Sequence, residues 1–347
     1  MTDQERIASA KIVYIVAVSG CGKSFTGDYL ETMHGFHHVD GDFPTKNCHI
    51  PKNKELYAGL LKCFVSYVHK EEGPEDGPEE LWKPYFEEIA NQTIDAAKKG
   101  SDQHVVLSHA TYRQSWREFV VKKLIEGGVR EENITVLYLT IHPDVKLKGL
   151  YYRTKTLIEN GGMTLGEFMR TQGWEGDGDM TLSEYMVYTK KKSPGIETCQ
   201  DIPDGYGKTV DVSGRDMSHL DGVDDALGLV GKRNDKTLTF EEIRDKVKVI
   251  DQKRDEDFAA TGSLVILGKM LAELTNGNDN DNDNNGDEVV NNTEEELEKI
   301  AKRRSSLISV EYLECELHRS SLSSIDNEKK KMTKTRRSSL IKTGKIE

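Results

Sequence analysis

Ser19-Gly20-Cys21-Gly22-Lys23-Ser24 is the stretch whose residue types and spacing bear most directly on chemistry. Two glycines let a backbone curl until several amide N–H groups converge on one anion. The lysine beside them supplies a point charge, and the hydroxyl that follows suits a hard cation. A phosphate loop asks for Gly-x-x-x-x-Gly-Lys-Ser/Thr. Ala17 to Ser24 meets that pattern everywhere except at its first position, which shapes the loop and offers no side-chain group. The chemistry expected is the binding of a nucleoside triphosphate with Mg²⁺. Ser19 through Phe25 would line the nucleotide, Lys23 would reach the β and γ phosphates, and Ser24 would ligate the metal. Cys21 inside the loop reads as a small spacer, or as a redox-sensitive thiol.

A second chemical pattern is Asp40-Gly-Asp42, within His38 to Pro44. Two carboxylates one residue apart can point into one cleft. One, Asp40, can hold Mg²⁺; the other, Asp42, can accept the proton of an attacking hydroxyl. The same letters also write a plain Asp-Gly turn.

Both patterns need elements to position them. Lys11 to Val18 is a continuous apolar run rich in β-branched residues, which predicts a strand covered on both faces. A helix can start at Lys23. Further short apolar runs lie at 105–107, 134–139 and 209–212, with helical stretches between them at 78–99, 115–126 and 145–159. This alternation predicts a three-layer α/β/α fold of the P-loop type with a mainly parallel sheet. Thr164-Leu-Gly-Glu167, Thr181-Leu-Ser-Glu184 and Thr239-Phe-Glu-Glu242 are capping boxes that mark helix starts. A helical extension, continuing to about residue 274, is predicted from Phe240, Ile243, Val247 and Ile250.

An ordered set of blocks resembles the gluconokinase family, and more loosely the shikimate kinases. It comprises Val18 to Ser24, Asp40-Gly-Asp42, Leu81-Trp-Lys-Pro-Tyr-Phe86, Leu107 to Glu118, and Val136 to Leu139 followed by Arg153. The resemblance runs over roughly residues 10 to 230. It implies an ATP- and Mg²⁺-dependent kinase that moves a γ-phosphoryl group to a hydroxyl of a small metabolite, gluconate or a related sugar or sugar acid. It implies catalytic roles for Lys23, Asp40, Asp42 and Arg117, acceptor contacts from Asp42, Arg113 and Arg117, and a nucleotide-closing lid arginine at Arg153. The family's His-Pro after the Asp pair and its Asp-Arg before Pro-Trp are missing here, residues 48–77 hold an insertion, and the lid at 151–200 is long. These differences gather where an acceptor would sit. They keep two alternatives open: a nucleoside or nucleotide kinase, and a nucleotide-binding interaction protein that has lost transfer.

The 347 residues carry a net charge of -12, with 36% hydrophobic content. An acidic chain argues against a nucleic-acid partner held by bulk electrostatics. Five Cys with no CxxC, and no leader or membrane-span pattern, predict a cytoplasmic setting. The expected organisation is a kinase domain at 1–232, a helical extension at 233–275, an Asn/Asp-rich linker at 276–292 and a charged, Ser-rich regulatory tail at 293–347, disordered when unbound. The linker opens like an EF-hand loop at Asp281, but Glu288 and Asn292 stand where an apolar residue and a bidentate carboxylate are needed. Arg303-Arg-Ser-Ser-Leu307 and Arg336-Arg-Ser-Ser-Leu340 are near-copies, which points to Ser306 and Ser339 as substrates of a basophilic Ser/Thr kinase.

Overall fold

A run of apolar residues without polar alternation needs cover on both faces, and Ile12–Val16 has it: every residue of this strand, β1, is buried. The computed structural model describes residues 2–63, 76–99, 104–160, 163–171, 173–192, 207–260 and 270. In it β1 is the middle of a five-stranded sheet, ordered β2-β3-β1-β4-β5, with β2 at His37–Asp40, β3 at Val105–His109, β4 at Ile134–Thr140 and β5 at Gly207–Asp211. All four pairings are parallel.

The pleat of β1 divides its side chains between two cores. Ile12, Tyr14 and Val16 face helices α1 (Asp3–Ser9), α4 (Pro51–Cys63), α5 (Glu79–Lys98) and α6 (Gln114–Glu126). That core is aromatic, with Trp82, Tyr85, Phe86 and Trp116 all buried. Val13, Ile15 and Ala17 face α2 (Lys23–His34), α10 (Met217–Leu227) and α11 (Phe240–Ala260). The result is the three-layer α/β/α arrangement that the alternation predicted, and its sheet is wholly parallel.

α11 lies against α2, with Ile243 and Val247 fully buried. A polar network ties this layer to α2: Tyr29 and Arg233 both meet the Asp224 carboxylate, at 2.7 and 2.8 Å, and His34 Nε2 lies 2.9 Å from it. α7 (Pro143–Asn160), α8 (Leu165–Thr171) and α9 (Leu182–Lys192) build a third apolar cluster from Leu147, Leu150, Tyr151, Leu165, Phe168, Met169, Met180 and Tyr185. Lys155 and Asp179 brace it at 2.6 Å.

The capping boxes at Thr164, Thr181 and Thr239 are formed in both directions. Two boundaries differ from the sequence reading. β1 stops at Val16, because Ala17 and Val18 already lead into the loop. The described part of α11 ends at Ala260, short of residue 274. The Asn/Asp-rich linker, the tail, Ser306 and Ser339 lie outside the described residues. Among those residues no helix is long and apolar enough to cross a membrane.

Parallel strands put all their carboxyl ends on one edge, and the register aligns three of them. Val16 pairs with His109 and Asp40 with Ser108. The loop after β1 and the Asp40–Asp42 turn after β2 therefore open on the same side. There β1 sits between β3, which continues toward β2, and β4, which starts the other half of the sheet. Such a reversal of strand order is where open α/β sheets form a cleft.

Candidate functional site

The loop after β1 curls because Gly20 and Gly22 hold φ of 80° and 83°, a region that L side chains avoid. Gly22 begins α2 with no side-chain cap, so the first-turn N–H groups of that helix are not taken by a capping oxygen. Lys23 is buried, and its Nζ donates to Val18 O at 3.1 Å, which lays the ammonium across the loop's own backbone. Ser24 is half-buried in the first turn of α2. Ser19 Oγ and the Tyr112 hydroxyl share a hydrogen bond of 3.0 Å. Cys21 is buried in the apolar cluster under the loop. Phe25 packs between the rings of His219 and Phe240, at 5.9 and 6.0 Å.

Across the cleft the two carboxylates have separate partners. Asp40 Oδ2 accepts from Lys46 Nζ, at the end of α3 (Phe43–Lys46), at 2.5 Å, and its Oδ1 accepts the Asp42 N–H at 3.0 Å, the hydrogen bond of an Asx turn. Asp42 Oδ1 lies 3.5 Å from His109 Nε2 and is a quarter exposed. Gly41 between them is close-packed: an added Cβ would stand 2.7 Å from Ser108 O. Tyr85, from α5, donates to Gly41 O at 2.9 Å and shares a bond with Thr45 Oγ1. Burial drives the Tyr85 pKa well up, and the Asp42 charge adds to the shift.

His109 is the residue on which these groups converge. Burial lowers its pKa, so the ring is neutral near pH 7. Asp42 and Asp40 pull the other way, and Lys23 acts in the same sense as burial. The imidazole thus feels the loop's cation and the turn's carboxylates together. Its Nδ1 lies 3.2 Å from Thr111 Oγ1, which meets the Tyr14 hydroxyl at 2.6 Å.

Of the arginines, Arg117 is held by backbone. Arg117 is buried, and its Nη1 donates to Thr111 O and Tyr112 O, both at 3.2 Å. It holds the segment whose Tyr112 hydroxyl meets Ser19. Arg113 is half-buried at the N-cap of α6, with no hydrogen-bond partner for Nε among the described residues. It opposes the burial that pushes the Cys63 thiol up to about 11. Arg153 lies in α7, and its side chain is outside the described set.

The structure therefore brings Lys23, Asp40 and Asp42 together, and turns Arg117 toward backbone. His109 and Arg215 belong to the site without having been singled out from sequence; Arg215 Nη2 donates to Gly20 O at 3.4 Å. A histidine ending a parallel strand was the available signal for the first. The second follows the last strand in Val212-Ser-Gly-Arg-Asp216, where only three-dimensional proximity to the loop marks it.

The donor set fits a nucleoside triphosphate with Mg²⁺. It offers a curled glycine loop, an uncapped helix start, a lysine and a first-turn hydroxyl. Among the described residues no three His, Cys, Asp or Glu side chains are arranged to hold a metal. Mg²⁺ carried by a nucleotide takes most of its ligands from phosphate and water, so a protein cage is not required.

No family model matches the chain, and no curated protein matches its sequence. Solved structures do. An unliganded sugar kinase from Janibacter sp. HTCC2649 is 13% identical, with 64% of this chain and 97% of that one covered at a TM-score of 0.33. A gluconokinase from Sinorhizobium meliloti 1021 is 18% identical, with 65% and 98% covered at a TM-score of 0.32. Both scores are low, and the fold rests on this chain's own strand order and register.

Proposed function

We propose that the chain is an ATP- and Mg²⁺-dependent kinase of a small hydroxylated metabolite, with gluconate or a related sugar or sugar acid as acceptor. The observation that carries this reading is the convergence on His109. Lys23 acts on that ring from the loop, and Asp42 stands 3.5 Å from its Nε2.

Bound Mg-ATP supplies the transferable phosphoryl group and the cation that offsets its charge. The remaining work falls to this chain. Lys23 and the first-turn N–H groups of α2 neutralise phosphate charge, and the Ser24 hydroxyl is placed for the cation. The two carboxylates divide the labour through their partners. Asp40, paired with Lys46, pins the turn. Asp42 is the more exposed of the two, and the partner it meets is a neutral imidazole. A neutral His109 can donate one N–H to that carboxylate without neutralising it, which orients Asp42 to take the proton of the acceptor hydroxyl. Arg117 acts at one remove, by fixing Tyr112 over Ser19.

The Asp40–Lys46 pair also favours a second reading, a nucleotide-binding protein without transfer, because it occupies one of the two carboxylates. A panel of sugar acids, sugars, shikimate and nucleosides, offered with ATP and Mg²⁺, separates the readings. Acceptor-dependent ADP release is expected with a sugar acid or sugar. Release with nucleosides alone would make the chain a nucleoside kinase. Tight ATP binding with no release from any acceptor would sink the kinase proposal.

A further inference from the structure

Arg215 has a setting that a surface arginine lacks. Its φ is 50°, the one positive value at a non-glycine among the described residues. A left-handed conformation is unfavourable for an L side chain, so its neighbours must hold it there. They do. Asp211 Oδ1 accepts the Ser213 N–H and hydroxyl at 2.9 and 2.5 Å, and the Arg215 N–H donates to Val212 O at 3.2 Å. Asp216 then caps α10 through the Ser218 N–H at 3.0 Å.

This turn aims the guanidinium inward. Nη2 donates to Gly20 O at 3.4 Å, in the phosphate loop. Its other side lies on Gly149 of α7, where an added Cβ would stand 2.7 Å from Nη2 and 2.8 Å from Nη1. Glycine inside a helix is destabilising relative to alanine. Here it leaves the room that the guanidinium fills. No carboxylate among the described residues pairs with Arg215; the groups that feel its charge or act on it are the Cys21 thiol and the His219 ring. Burial works against its charge. A half-buried guanidinium gains most from a bidentate anion such as phosphate.

We propose that Arg215 is a polyphosphate-binding residue: it braces the Gly20 carbonyl of the loop and contacts the phosphates of bound nucleotide, with Gly149 of α7 keeping its place open. The inference rests on the phosphate-loop reading of Lys23 and Ser24.

The test uses the full chain and calorimetric titration with ATP, ADP and AMP in Mg²⁺, alongside thermal unfolding without ligand. Arg215→Gly removes the guanidinium while suiting the positive φ. It is expected to weaken ATP about 10- to 100-fold, as loss of a hydrogen bond to a charged group predicts, with a smaller loss for ADP and the least for AMP. Arg215→Lys is expected to restore part of that loss. Gly149→Ala keeps the arginine but displaces it, so ATP affinity falls while the unfolding temperature holds or rises. Equal losses for all three nucleotides would make Arg215 a brace alone and overturn the proposal, as would unchanged ATP affinity in Arg215→Gly. If the unsubstituted chain binds ATP no better than Lys23→Ala does, the phosphate-loop reading fails and this inference falls with it. If Lys23→Ala abolishes binding while Arg215→Gly keeps it, the inference alone fails.

Discussion

The glycine loop after β1 and the carboxylate turn sit on one edge of the same sheet, yet they are built over very different spans of sequence. In the loop, Lys23 reaches back five residues to Val18 O, and Thr26 reaches four to Gly22 O. At the turn, Tyr85 reaches 44 residues to Gly41 O, and His38 reaches 70 to Ser108 Oγ. Asp42 depends on His109, a residue of another strand. A local motif can be recognised from its letters, whereas a site assembled by strand register can be recognised only once the strands are paired.

The largest effect expected is from Lys23→Ala. Loss of a charged donor from the loop should weaken ATP by more than about 100-fold, since each hydrogen bond to a charged group is worth about 1.5–3 kcal/mol and the charge itself is lost. Titration calorimetry measures it, and an unchanged affinity would remove the loop from the account. Next is the long-range network behind the loop. Asp224 is buried and meets Tyr29, His34 and Arg233. Asp224→Asn leaves that carboxylate's partners without its charge, and a loss of about 3 kcal/mol is expected from urea midpoints. A negligible loss would mean that the α2 layer does not need this clamp, and would sharpen the contrast between short and long spans.

Acid should act through the same layer. Burial, helped by Arg215 and opposed by Asp216, lowers the His219 pKa from 6.5 to about 4. Between those values the unfolded chain binds a proton that the folded chain refuses. Stability therefore falls as pH drops from 6.5 toward 4, by up to about 3 kcal/mol from this one group. Burial lowers the His109 pKa as well, with the same sign. His219→Gln should flatten the pH dependence of the denaturation midpoint in that window; an unaltered slope would contradict the assignment. The smallest effect concerns the link between α2 and the turn. His38 bridges Asp28 at 2.6 Å and Ser108 at 2.8 Å, and a Cβ on Gly27 would stand 2.4 Å from its Nε2. Gly27→Ala should cost about 1–3 kcal/mol as overpacking, and a neutral result in thermal unfolding would show that the bridge can shift freely.

β1 and β3 were legible because a parallel strand buried on both faces reads as an apolar run, as Ile12–Val16 does, whereas β2, His37-His-Val-Asp40, carries no such run. The capping boxes at Thr164, Thr181 and Thr239 were legible for the opposite reason, being complete within four residues. His109 escaped because a histidine inside a buried strand looks the same whether it is packed or poised. Arg117 was read from resemblance as an acceptor contact. In the first turn of α6 its side chain leans toward the helix N-terminus, and there it meets the carbonyls of Thr111 and Tyr112. Arg215 escaped because its value lies in proximity to Gly20, 195 residues away.

In the proposed kinase, Asp42, oriented by His109, serves transfer while Lys23 serves binding. Asp42→Asn tests it most directly, with ATP affinity and acceptor-dependent ADP release measured on the same preparation. Turnover is expected to fall by about 10²- to 10⁴-fold, the usual contribution of a general base, while ATP affinity stays within about twofold. Unchanged turnover, or a fall in turnover matched by an equal fall in ATP affinity, would contradict it.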